Sequence, residues 1–190
     1  MPQPQMLANR RTLLALSAAT LVVAPFAARA GLRSATALVQ IENFDASGAK
    51  LGAGLVSKVV FSEDDWRKRL SPAAFNITRR AGTEIAFTGA YWNLHKDGLF
   101  RCVSCTTALF DSRDKFDSGT GWPSFTRPVA RLNVVERSDE SFGMQRTQVS
   151  CARCDGHLGH VFDDGPPPTG LRYCINSAAL VFVPRAAKKA

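Results

Sequence analysis

A mainly β domain, introduced by short N-terminal helices and stapled by a structural zinc site, is the fold that this chain of 190 residues predicts, on three observations. From Gly89 onward the sequence breaks into short apolar stretches punctuated by turn residues, the texture of strands folded into a β core. Two Cys-x-x-Cys pairs, Cys102/Cys105 and Cys151/Cys154, offer four thiolates to one tetrahedral ion. Two helix-start signals, at Ser62 and at Ser71-Pro72, precede both. With 45% hydrophobic and 21% charged residues, the composition suits one globular domain plus a small extra segment.

The first thirty residues read as a cleaved export signal. Asn9-Arg10-Arg11-Thr12 makes a basic start, Leu13 to Phe26 is an apolar run too short to span a bilayer comfortably, and Ala28-Arg29-Ala30 gives a small-x-small cleavage pattern. Cleavage is expected after Ala30, leaving no stable membrane insertion. The paired arginines resemble a twin-arginine signal, which implies export of a folded, metal-loaded protein to the bacterial periplasm, although a general secretory signal also carries two arginines at times. The same segment accounts for much of the formal charge of +8: without Arg10, Arg11 and Arg29 the 24 basic residues become 21 against 16 acidic, or +5. The remaining charge is dispersed, with no basic runs interleaved with aromatics, which argues against a nucleic-acid partner.

Residues 31–69 form an extension or linker ahead of a domain spanning 70–184. Val39 to Phe44 alternates like a strand and Asp45 to Gly48 is turn-rich, so a hairpin and a linker are both open. Ser62 caps a helix whose first turn carries Glu63, Asp64 and Asp65, acids facing the positive end of its dipole. Ser71-Pro72 opens a second helix, with Gly82 as its stop. Strands are then expected at Leu99–Val103, Ala108–Phe110, Val134–Glu136, Met144–Cys151, His160–Phe162, Leu171–Ile175 and Ala179–Val183. Residues 185–190 make a basic C-terminal tail.

The cysteines divide four and one. Each short pair lets two sulfurs converge on one ion from a tight turn, and a closed site of four thiolates leaves no position for substrate, so its role is structural. In an exported protein two disulfides are the alternative. Cys174 is left alone, flanked by Arg172 and Asn176, a cation and an amide able to stabilise a thiolate. A small buried hydrophobe on a strand is the plainer reading. His157 and His160 follow the second pair too closely to wrap an ion with it, which frees them as acid/base partners, or leaves them as ordinary core or surface histidines. In Gly119-Thr120-Gly121-Trp122-Pro123-Ser124 a fixed turn displays Trp122, as core or as pocket wall.

Taken together, Phe87 to Trp92, Phe116 to Phe125, Cys151 to Phe162 and Gly170 to Ser177 closely resemble the B-type methionine sulfoxide reductases, over about Leu70 to Val183. The resemblance implies a β-rich sandwich- or barrel-like core of two antiparallel sheets, with zinc on Cys102, Cys105, Cys151 and Cys154 away from the active site. It implies Cys174 as nucleophile, Trp122 as the wall for the substrate's S-methyl group, His160 as donor to the sulfoxide oxygen and Asn176 as the amide that orients the group. His157, Phe162 and Arg172 would line the pocket, with Asp164 nearby.

A sulfoxide is a poor electrophile until its oxygen is protonated or strongly hydrogen-bonded, so a thiolate needs a donor beside it. Attack by Cys174 on methionine R-sulfoxide, free or in oxidised proteins, then yields methionine and a sulfenic acid. Many relatives carry a recycling cysteine where this chain has Thr120, so the resemblance implies a one-cysteine cycle closed by an external dithiol, such as a thioredoxin-like partner, acting on a monomer. The rival classes are a zinc-stabilised binding module and a peroxide-sensing thiol.

Overall fold

Residues 37–186 are described by the computed structural model of the chain; the export signal expected at residues 1–30 lies outside them. Among the described residues, eleven strands form three antiparallel sheets. A hairpin of β1 (Leu38–Phe44) and β2 (Lys50–Ser57) comes first, then helices α1 (Glu63–Arg69) and α2 (Pro72–Arg80). The large sheet has six strands in the order β5 (Lys115–Phe116), β6 (Ser124–Phe125), β10 (Arg172–Ile175), β9 (His157–Phe162), β8 (Arg146–Cys151) and β7 (Val134–Asp139). The third sheet pairs β11 (Leu180–Pro184) with β3 (Gly98–Cys102) and β3 with β4 (Ala108–Asp111).

The two larger sheets supply most of the core through side chains that alternate along each strand, as the resemblance implies, and the hairpin of β1 and β2 adds a third sheet. On β10, Tyr173 and Ile175 are fully buried, which turns Arg172 and Cys174 to the other face. Phe110 stacks on Phe125 with ring centroids 4.5 Å apart, and Phe100 meets Phe125 edge-on at 5.0 Å. Such aromatic pairs contribute about 0.5–1.5 kcal/mol each beyond the area they bury.

The segment left open between hairpin and linker is a hairpin. It is attached through Asn133, a fully buried residue whose Oδ1 accepts from Glu42 N at 2.8 Å and whose Nδ2 donates to the carbonyls of Glu42 and Ala108. One amide side chain thus takes the place of a strand partner for β1. Both helices begin as expected: Ser62 Oγ accepts from Asp65 N, and Ser71 Oγ accepts from Ala74 N with Pro72 in the first turn. The stop of α2 differs by one residue. Ala81 takes the left-handed conformation (φ 51°) in place of Gly82, whose N–H donates to the Asn76 carbonyl.

Strand limits also shift. β7 continues to Asp139, β9 begins at His157, and the two-residue strands β5 and β6 carry no pattern long enough to read. Arg185, assigned to a basic tail, is anchored instead, donating to Asp97 and Asp111. No helix among the described residues is long and apolar enough to cross a membrane.

Candidate active site and metal centre

Cys174 stands on the outer face of the large sheet, half-buried, with Ser124 opposite it on β6 and His160 opposite it on β9. A shallow cavity of about 170 Å³ opens there, lined by Cys174, His160, Phe162, Asn176, Trp122, Thr83 and Arg146 among others. Period-two alternation places His160 and Phe162 on the face that carries Cys174. Gly159 lets β9 approach closely below them, since a Cβ there would lie 2.1 Å from the Cys174 carbonyl oxygen. Trp122 follows Gly121, which has φ 87° and leaves the space into which the Phe87 ring packs.

Two of the expected pocket residues, Arg172 and His157, are not among those that line the cavity. Arg172 makes a two-pronged ion pair with Asp164, at 2.8 and 2.7 Å, and lies over the Phe162 ring at 4.4 Å. His157 is buried; its Nδ1 lies 2.8 Å from Gln148 Nε2, while its Nε2 has no hydrogen-bond partner among the described residues. Burial, helped by the neighbouring His160, lowers the His157 pKa to about 4, so this ring is neutral at ordinary pH. With Gln148 donating to Nδ1, the ring proton is on Nε2.

Burial also pushes the Cys174 thiol above its usual range, against the Arg172 charge and hydrogen bonds from Thr120 and Arg172. The sequence suggests a thiol held as thiolate by Arg172 and Asn176; in the fold desolvation outweighs Arg172. Both ends of the Asn176 amide are engaged elsewhere. Its Nδ2 donates to the Leu158 carbonyl at 3.0 Å and its Oδ1 accepts from Glu84 N at 2.9 Å.

Glu84 is one of three residues in contact with the candidate site that carry no sequence signal. Besides the bond to Asn176, its carbonyl accepts from the Trp122 indole Nε1 at 3.1 Å, and its carboxylate accepts from Ser177 N and Ala178 N at 2.6 and 3.0 Å. The other two are Asp139 and Arg146. Asp139 Oδ2 lies 2.8 Å from His160 Nε2 and accepts from Arg146 Nη2 at 2.9 Å, while Oδ1 accepts from Ser141 N. Hydrogen bonds from Ser141 and His160 hold the Asp139 carboxyl well below the usual carboxylate range. Polar residues at strand ends and in loops have no periodicity to betray them; only the register of β7, β8 and β9 brings these together.

The other four cysteines meet at a distance from this cavity, at the ends of β3 and β8. All four are buried, and their sulfurs lie within 4.8 Å of one another. Two turns of the same design present them. Thr106 N donates to the Cys102 carbonyl and Asp155 N to the Cys151 carbonyl, at 2.8 and 2.9 Å, with Thr106 and Asp155 both left-handed (φ 63° and 56°). Sulfur separations of 3.6 Å for Cys102–Cys154 and 3.5 Å for Cys105–Cys151 exceed the disulfide bond length of about 2.05 Å by a wide margin. Hydrogen bonding with Cys105, Cys151 and Cys154, together with burial, drives the Cys102 thiol well above its ordinary range. The cluster therefore has the donors, geometry and crowding of a metal site.

Residues 70–184 match the family model of the SelR domain. The chain is similar to a protein of Synechococcus sp. (strain RCC307) named peptide methionine sulfoxide reductase MsrB, with 60% identity over 121 residues, 64% of this chain and 89% of the relative. Relatives of the same name in Thiobacillus denitrificans and Agrobacterium fabrum are 56% and 55% identical over 124 and 127 residues; the match covers 65% and 67% of this chain and 94% of each relative.

Proposed function

Because the chain belongs to the B-type methionine sulfoxide reductases, enzymes that reduce methionine R-sulfoxide to methionine, we propose that Cys174 is the nucleophile, Trp122 the wall for the S-methyl group and His160 the proton carrier at the sulfoxide oxygen. The observation that carries this reading is the pairing of Cys174 with His160 across β10 and β9 in a cavity that Trp122 and Phe162 wall. The Cys174 sulfur attacks the sulfoxide sulfur, and the thiol proton moves to the oxygen with His160 as relay. This attack forms an S–S bond, and that bond and the substrate's S–O bond then break as the oxygen, now a hydroxyl, passes to the Cys174 sulfur. Methionine departs, and Cys174 is left as a sulfenic acid.

Phe162 bounds the apolar part of the pocket, Asn176 braces it through Leu158 and Glu84, Arg172 supports the Phe162 ring and His157 packs beside His160. At Thr120 a hydroxyl stands where a recycling thiol would act, so an external dithiol closes the cycle. One of its thiols displaces water from the sulfenic acid to give a mixed disulfide, and the other releases Cys174 and leaves the donor oxidised. A thioredoxin-like donor fits this need, and export to the periplasm under the leader at residues 1–30, followed by action there as a monomer, completes the reading.

Zinc is the ion proposed for Cys102, Cys105, Cys151 and Cys154. A tetrahedron with metal–sulfur bonds of about 2.3 Å has edges of about 3.8 Å, close to the sulfur separations of this cluster. Bound there, zinc would cross-link β3 and β8 and take no part in turnover.

The test is an assay of methionine formation from the two sulfoxide epimers. Turnover of the R epimer alone, lost in Cys174→Ser, is expected; equal use of both epimers, or an active Cys174→Ser variant, would overturn the assignment of this pocket.

A further inference from the structure

We propose that Asp139 is a positioning residue for the reaction, fixing the ring of His160 so that Nε2 carries a proton toward the carboxylate and Nδ1 is the nitrogen left for the substrate. The inference rests on the assignment of His160 as proton carrier and adds the residue that makes it one. His160 Nε2 lies 2.8 Å from Asp139 Oδ2, and an ionised carboxylate can only accept, so the hydrogen between them belongs to the ring. Nδ1 has no hydrogen bond among the described residues. A neutral ring held this way accepts the thiol proton at Nδ1 and returns it at Nδ1, the same atom serving both steps.

The surroundings support a carboxylate built for this purpose. Asp139 is itself held at both oxygens, Oδ1 by Ser141 N at 3.0 Å and Oδ2 by Arg146 Nη2 at 2.9 Å, so its orientation is set before the imidazole arrives. The charged and titratable groups facing His160 are Asp139 and Arg146 from the ends of β7 and β8, His157 from β9 itself, with ring centroids 5.4 Å apart, and Cys174 from β10. Among these Asp139 is the one carboxylate. During the interval in which the ring carries both protons, that carboxylate compensates the charge, while Arg146 on the same oxygen limits how far the proton itself can move to Asp139.

Asp139→Asn tests the idea, because an amide of equal size keeps the acceptor for Ser141 N yet can donate to Nε2 and so admit the other tautomer. Single-turnover methionine formation from methionine R-sulfoxide should slow between about ten- and a hundredfold, part of what a general acid–base group contributes. KM should change little, and the ring-nitrogen NMR shifts of His160 should move away from the Nε2–H form. Asp139→Glu, which restores an acceptor-only partner, should recover part of the rate. An Asp139→Asn rate within twofold of wild type, or a loss seen mainly in KM with no tautomer change and no recovery in Asp139→Glu, would overturn the proposal. The underlying assignment fails separately, if His160→Ala reduces the sulfoxide at the wild-type rate.

Discussion

Cys151 closes β8 and Cys174 stands within β10, two strands of one sheet, yet the two sulfurs live in different chemistry. Around Cys151 there are three more thiols, full burial and a pair of matched turns. Around Cys174 there is an open cavity, a facing imidazole and no second sulfur in the neighbouring turn, where Thr120 stands. Burial raises the Cys174 thiol, whereas the four clustered thiols divide, Cys102 and Cys151 held above the ordinary thiol range and Cys105 and Cys154 below it. A cation at the cluster would compensate the charge of all four sulfurs, and would do so permanently. At the cavity the proton acceptor proposed, His160, would act only during the reaction. Whether a cysteine is structural or reactive is decided here by what may approach it and for how long.

The strongest challenge to that contrast is to remove sulfur from each side in turn. Serine at any of Cys102, Cys105, Cys151 or Cys154 should abolish metal binding and leave the chain unfolded or strongly destabilised, because structural zinc supplies on the order of 10 kcal/mol, comparable to a whole domain's stability. Metal analysis and thermal unfolding would show it; an unaltered melting temperature would erase the distinction. Serine at Cys174 should do the reverse, abolishing turnover with full metal content and a melting temperature within a few degrees of wild type.

Next in size is the end point of an unreplenished reaction. With excess methionine R-sulfoxide and no reductant, the wild type should release one methionine per chain and accumulate a dimedone adduct on Cys174, read by mass spectrometry. Rapid formation of a disulfide from Cys174 to one of the paired cysteines, with metal released, would show that the two regions are not chemically separate. Within the cavity, His160→Ala should slow the single turnover by roughly 10²–10³-fold. Trp122→Ala should act mainly through KM, by removing an apolar wall. Indistinguishable kinetic effects of the two would merge the roles given to them.

A smaller effect concerns pH. His157 is held neutral, with its pKa lowered to about 4, whereas an unfolded histidine titrates near 6.5. Between those values the unfolded chain binds a proton that the folded one does not, so this residue's contribution to stability is present above about pH 6.5 and is lost as pH falls toward 4. Melting temperature should drop over that window, and His157→Gln should flatten the slope; an unchanged slope would remove His157 as its source. The smallest expected effect is Ser62→Ala, a lost N-cap worth about 1 kcal/mol in thermal unfolding.

Much of the candidate site was legible because its residues lie in short contiguous stretches. Cys151 to Phe162 and Gly170 to Ser177 hold all four expected side chains of β9 and β10 together with Cys174 and Asn176. The four-cysteine cluster was legible for a similar reason: a Cys-x-x-Cys turn is a local device, and two of them need only meet. What stayed hidden were partners distant in sequence. Glu84 reaches Ser177 across ninety-three positions and Asn133 reaches Glu42 across ninety-one. Neither sits in a pattern of its own. The hairpin was ambiguous because β2, Lys50 to Ser57, is largely exposed and mixes apolar residues with two glycines, so it lacks the alternation of a half-buried strand. Arg172 and Asn176 were read as stabilisers of the Cys174 thiolate from adjacency alone; adjacency does not weigh the desolvation that outweighs Arg172, nor show that the amide of Asn176 is already committed.

Glu84 holds the Trp122 indole with its carbonyl and the Asn176 amide with its N–H, both on one residue of the backbone. The gap between those two groups is therefore spanned by a few covalent bonds and two hydrogen bonds, where most pocket widths depend on how sheets and loops happen to pack. Bond lengths and angles vary by hundredths of an ångström and a few degrees, while packed elements slide by much more. The pocket carries its own gauge, and a substitution elsewhere that shifts this loop will carry indole and amide together without altering the distance between them.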